Sequence, residues 1–79
     1  MSQIFTDSQM AEIYTMAGEI VNGTYSLDLF CRNTAQQESR LAAAIAAGDT
    51  RKIGALNREL LGRDMVMLLV ARHNENEGA

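Results

Sequence analysis

Leu41-Ala42-Ala43-Ala44-Ile45-Ala46-Ala47-Gly48-Asp49-Thr50-Arg51-Lys52-Ile53 is the stretch on which the reading of the whole chain turns. Alanine is the strongest helix former, so residues 41–47 read as the end of a helix, thin enough for a neighbour to approach closely. Gly48 stops that helix, because glycine accepts the left-handed conformation of a helix terminus without a Cβ clash. Asp49 or Thr50 then caps the next helix with its side-chain oxygen. The link is two or three residues long, and so short a link forces the flanking helices into an antiparallel hairpin.

Upstream of the alanines, Leu27, Cys31, Thr34, Glu38, Leu41 and Ile45 step 4, 3, 4, 3 and 4. That is a heptad-like seam with two polar members. Thr24 or Ser26 is the expected cap, with Asp28 at the positive end, so the second helix covers about 25–47. The first helix opens on Thr6-Asp7-Ser8-Gln9, which has the form of a capping box, with Phe5 placed to staple onto Met10. Met10, Ile13, Ala17 and Ile20, widened by Tyr14 and Val21, form its apolar stripe, and Asn22-Gly23 ends it, giving about 7–22. The third helix is read over about 50–73, with Ile53, Leu56, Leu60, Arg63, Met67 and Val70 on one face. The fold class is therefore all-α. Residues 1–73 form a single helical domain, and residues 74–79, with no apolar side chain before Ala79, are expected to fray.

The third helix carries one anomaly. From Met65 to Ala71 every residue is apolar, and a helix of that kind is surrounded by protein on all sides. Two neighbouring helices cover only part of the circumference, and soluble monomers rarely leave a large apolar patch wet. The expectation is a homodimer, a dimeric helical bundle with Met65, Leu68 and Leu69 near the interface. The plainer alternative is that helix 1 crosses over and seals the patch within one chain. Gly18, Gly54 and Gly62 fall inside helices, where each costs about 1 kcal/mol relative to alanine; close helix crossing is one explanation and unselected weakness the other.

At 79 residues, 47% apolar, with a net charge of −3, the chain is one small domain and too apolar to be disordered. No run is long enough for a membrane span, and Met1–Asp7 lacks the basic start of a signal peptide. A single cysteine, Cys31, suits a reducing cytoplasm. Charge is segregated. Residues 1–31 carry Asp7, Glu12, Glu19 and Asp28 and no base, whereas residues 32–72 hold all seven cations, six of them arginine, and are net basic. The two segments either complement one another or present Glu12 and Glu19 to a basic surface on a partner. About a turn centred near Gly48-Asp49, Thr34 falls opposite Arg63, and Glu38 opposite Glu59 or Leu60.

Chemistry finds no foothold. Ala44 and Gly48 match two positions of a helix-turn-helix DNA reader, but Gly54 and Asn57 stand where that motif needs apolar residues. The acidic net charge also lacks the electrostatic footprint of direct nucleic-acid binding. Cys31 beside Arg32 has no histidine at hand, since His73 lies at the far end of helix 3, where it complements the helix dipole. His73-Asn74-Glu75 is too small a set for a metal. Tyr14 and Tyr25 suit amphipathic packing. No catalytic, cofactor or metal site is predicted.

What this build permits is binding. The expectation is a small, cytoplasmic, non-enzymatic regulatory protein that acts on a protein partner, such as a transcriptional regulator. An apolar patch around Leu61, Met65, Leu68 and Leu69 would take up a partner helix or groove, with acidic helix 1 steering approach. In size and plan the chain is similar to the compact antiactivators and inhibitors of transcription factors or host complexes made by bacteria, phages and mobile elements; the likeness is one of scale, and no motif carries it. A structural or assembly adaptor, chaperone-like, is the alternative, followed by a DNA-binding regulator.

Overall fold

The computed structural model describes residues 5–78, which form three helices: α1 (Asp7–Val21), α2 (Leu27–Ala47) and α3 (Thr50–Gly78). Each start is capped by the chemistry its sequence offers. Gln9 N–H donates to Thr6 Oγ1 (3.1 Å) and Thr6 N–H donates back to Gln9 Oε1 (2.9 Å), completing the capping box. Of the two candidate caps for α2 it is Ser26 that acts, accepting from Leu29 N–H at 3.2 Å, so α2 starts at Leu27 rather than residue 25. Asp49 Oδ1 accepts from Lys52 N–H at 3.2 Å at the start of α3. Both interhelical turns place a glycine in the left-handed region, Gly23 at φ 80° and Gly48 at φ 69°. In each turn two amides beyond the helix fold back onto its last carbonyls: Gly23 to Ile20 and Thr24 to Glu19, then Gly48 to Ile45 and Asp49 to Ala44.

The end of α3 differs from expectation. The helix does not stop near His73 but continues to Gly78, while Ala79 lies outside the described residues. Asn74, Glu75 and Asn76 are exposed and are moderate helix formers, and no proline or left-handed glycine interrupts them. Lack of apolar side chains removes packing, but not the backbone hydrogen-bond ladder.

α1 and α2 each pack on α3 and only marginally on each other. The core is one cluster, made of Ile13, Ala17 and Ile20 of α1, Phe30 of α2, and Val66 and Val70 of α3. Phe5, Met10, Met16, Met65, Met67 and Leu69 pack around it, half-buried. Most of the all-round apolar segment is thus covered within one chain. Val66 and Val70 are buried and Met65, Met67 and Leu69 are half-covered, leaving Leu68 as the large side chain turned to water.

The face that α2 buries matches the predicted seam only at Thr34 and Leu41. Leu27, Cys31, Glu38 and Ile45 are exposed, and the covered line is Phe30, Thr34, Gln37, Leu41 and Ala44. Both sets obey the same 4-and-3 helical spacing, so periodicity alone does not choose between them. Phe30 decides, since an aromatic ring removes more apolar area from water than the leucine and cysteine of the rival face. Ala44 then lets α2 approach α3 closely near the turn. Within this covered line Gln37 Oε1 is buried without a hydrogen-bond partner, so the face is not fully satisfied.

The glycines inside the helices are not explained by close crossing. A Cβ on Gly18 or Gly54 would meet nothing within 4 Å, and one on Gly62 would meet Phe5 and Ile13 only at ordinary contact distances, 3.7 Å or more. Gly18→Ala is therefore expected to stabilise the protein by about 1 kcal/mol through the lower entropy of the unfolded chain. In a domain this small that should raise the thermal midpoint, followed by circular dichroism, by roughly 4–8 °C. An unchanged or lowered midpoint would show that the site is tighter than its surroundings indicate.

Candidate functional site

Two surfaces stand out, and both follow from a mismatch of lengths. α3 has 29 residues and α1 only 15, so at 1.5 Å per residue α3 runs about 43 Å and α1 about 22 Å. The radius of gyration, 14.2 Å, exceeds the roughly 12 Å expected of a compact chain of this length. The accessible surface, 5884 Å², exceeds the roughly 4,700 Å² of a compact monomer of this mass. The bundle is open.

The first surface is a cleft of about 740 Å³ between α1 and the N-terminal half of α3. Its floor is the outer edge of the core: half-buried Phe5 and Met16 with buried Ile13 on one side, buried Phe30 and Val66 on the other. Gln9 and Glu12 form the α1 wall, and Arg51, Arg58 and Glu59 stand along α3. Arg63 also borders the cleft but is already engaged. Its Nη1 donates to the Phe30 carbonyl (3.3 Å) and to Thr34 Oγ1 (3.1 Å), and its guanidinium lies 4.8 Å from the centroid of the Phe30 ring. Thr34 Oγ1 donates in turn to the Phe30 carbonyl at 2.9 Å. The expected opposition of Thr34 and Arg63 is thus observed, and Glu38, exposed, takes no part.

The second surface is the back of α3. Leu61 is 40% and Leu68 50% exposed, with half-buried Met65 between them at helical spacing, and none of the three lines the cleft. Of the residues predicted for an interface, Leu61, Met65 and Leu68 therefore share one face. Leu69 is half-buried against the core cluster. Glu12 is exposed on the cleft wall. Glu19 is half-buried near the end of α1, where its backbone carbonyl accepts from Thr24 and Tyr25. The acidic helix and the basic segment do not neutralise one another here. Glu12, Arg51 and Arg58 form no ion pair among the described residues, although they border the same cleft.

Sequence reasoning missed the cleft. Its residues come from all three helices, and the one local signal was the small side chains at Gly54, Ala55 and Gly62 on the α3 face. Tyr25 accepts from Asn33 Nδ2 at 3.1 Å and is half-buried, while Tyr14 is 59% exposed. Cys31 is exposed as a free thiol. Among the described residues no group of three His, Cys, Asp or Glu side chains is placed to hold a metal ion, and no helix is long and apolar enough to cross a membrane. No protein family, curated protein or solved structure matches this chain.

The Arg63 contacts tie α3 to the carbonyl and ring of the most buried α2 residue. Arg63→Ala is expected to cost about 1–2 kcal/mol in urea unfolding, since it removes charge-assisted hydrogen bonds and a ring contact. Arg58→Ala, one turn away and exposed, should stay within about 0.5 kcal/mol. Equal effects from the two would show that the Arg63 contacts carry no stability.

Proposed function

We propose that this chain is a small, non-enzymatic regulatory protein of the cytoplasm that works by binding another protein, as an antiactivator or inhibitor of a transcription factor or host complex does. The observation that carries this reading is the exposed apolar stripe of α3. Leu61 and Leu68, 40% and 50% exposed, stand seven residues apart on one helix face with Met65 between them. A chain whose surface already exceeds that of a compact monomer gains most by covering such side chains, at about 1 kcal/mol for each half-exposed leucine. Two copies meeting on this stripe would share a two-fold axis, so each leucine would count twice. The homodimer would leave the cleft open for the regulated partner, with the acidic surface of α1, Glu12 foremost, steering its approach. The exposed thiol of Cys31 suits a reducing compartment.

Leu68→Glu tests the reading. It is expected to weaken self-association, measured by sedimentation velocity across a concentration series, by about a hundredfold or more while leaving the helical circular dichroism in place. Affinity capture from the source cell, run with wild type and variant, then identifies the partner. A transcriptional regulator retained by wild type supports the antiactivator form, whereas secretion or assembly components favour the adaptor. A protein that sediments as a monomer at every concentration and captures nothing would end the binding hypothesis.

A further inference from the structure

The cleft has the dimensions of a missing helix. It extends along α3 from Thr50 to Val66, and 16 residue steps at 1.5 Å make a trough about 24 Å long. That is longer than a small ligand needs and matches a helical segment of about four turns. α1 does not fill it: its residues border the trough only as one wall, and α2 contributes Phe30 alone to the lining. The floor already holds what a helix would pack on, since Ile13, Phe30 and Val66 belong to the core cluster, and Phe5 and Met16 pack against it. Gly54 and Ala55 keep the α3 side low, and a Cβ on Gly54 would meet nothing within 4 Å.

The charges of the rim say which helix. Arg51 and Arg58 stand seven residues apart on α3, about 10.5 Å along the axis and on one face. Both are exposed and neither has an ion-pair partner among the described residues, whereas Arg63, the third arginine of the cleft, is spent on Phe30 and Thr34. Glu59 lies on the same stretch of α3, and Glu12 and Gln9 face them from α1. An occupant therefore meets two unpaired guanidinium groups and one carboxylate, Glu59, on the α3 side, a net positive wall, and an acidic and a neutral group on the other. Guanidinium pairs carboxylate in a bidentate fork, which favours Asp or Glu on the flank of the incoming helix that faces α3.

We propose that the cleft is the docking groove for an amphipathic α-helix of the protein partner, its apolar face on Phe5 and Met16 above the buried Ile13, Phe30 and Val66, and its acidic flank, with carboxylates two turns apart, against Arg51 and Arg58. This deepens the protein-binding reading by naming what the partner presents, and it is independent of the stripe on the back of α3.

The test uses the full chain and two fluorescein-labelled helical peptides of about 18 residues. Each has a leucine stripe, one charged flank and glutamine elsewhere; the charged flank is glutamate in one and lysine in the other. By fluorescence anisotropy the glutamate peptide should bind about tenfold or more tightly than the lysine peptide, the scale expected of two exposed ion pairs gained and two repulsions avoided. The double variant Arg51→Glu/Arg58→Glu should reverse that order, with circular dichroism confirming its fold, and Leu68→Glu should leave it unchanged. No binding by the glutamate peptide, or equal binding of the two, overturns the groove assignment without touching the self-association measurement on Leu68→Glu. If the arginine double variant instead loses self-association, the occupant is a second copy of this chain and the proposal fails.

Discussion

α3 is the element on which both other helices pack, since α1 and α2 meet only marginally, and the structure depends on what that asymmetry allows. α1 and α2 contribute to one cluster on α3, with Phe30, at 3% exposure, the most buried core side chain among the described residues. Phe30 is the sole α2 member of that cluster, so its ring determines the rotation of α2 about its own axis. Arg63 then closes over the ring and binds its carbonyl, and Thr34 serves both. One aromatic side chain and one guanidinium thus join α2 to the spine far from the turn at Gly48.

A cluster of six buried side chains is a small core for 79 residues. Domains of this size are marginal even when compact, and this one is not. Because α3 outruns its neighbours, covering its C-terminal half leaves the N-terminal half with α2 alone. The cleft and the exposed leucines have this common origin. Evolution commonly answers such a deficit with a partner, and the two surfaces offer two ways to do so: a symmetric apolar stripe and a charged groove.

Much of the fold was legible from local chemistry. Thr6 with Gln9, Ser26, Asp49, Gly23 and Gly48 act within three to five residues of their own positions, so caps and turns needed no tertiary information. The stripe Ile13, Ala17, Ile20 was equally plain, because α1 has one apolar face and no rival. α2 was ambiguous. Leu27, Cys31, Leu41 and Ile45 and the line through Phe30, Leu41 and Ala44 share the same period, and only the depth available beneath a phenylalanine separates them. Among the site residues, Leu61, Met65 and Leu68 share a face by spacing alone, whereas Leu69 lies a further step round the helix and meets the core. Arg51, Arg58 and Glu12 were visible as charges, yet nothing in their order along the chain brings the two walls of a cleft together.

The amino-acid order by itself determined three helices, the capping box of α1, the type of cap on the other two, the length of the Gly48-Asp49 link and the apolar excess near the end of α3, all of which arise from contacts along one helix or across one turn. Tertiary structure decided which face of α2 is buried, how much of that excess α1 covers, and that an open trough runs between α1 and α3. Those outcomes turn on relative helix length and on how a single aromatic ring seats between neighbours, and both are properties of packing in three dimensions rather than of any segment alone.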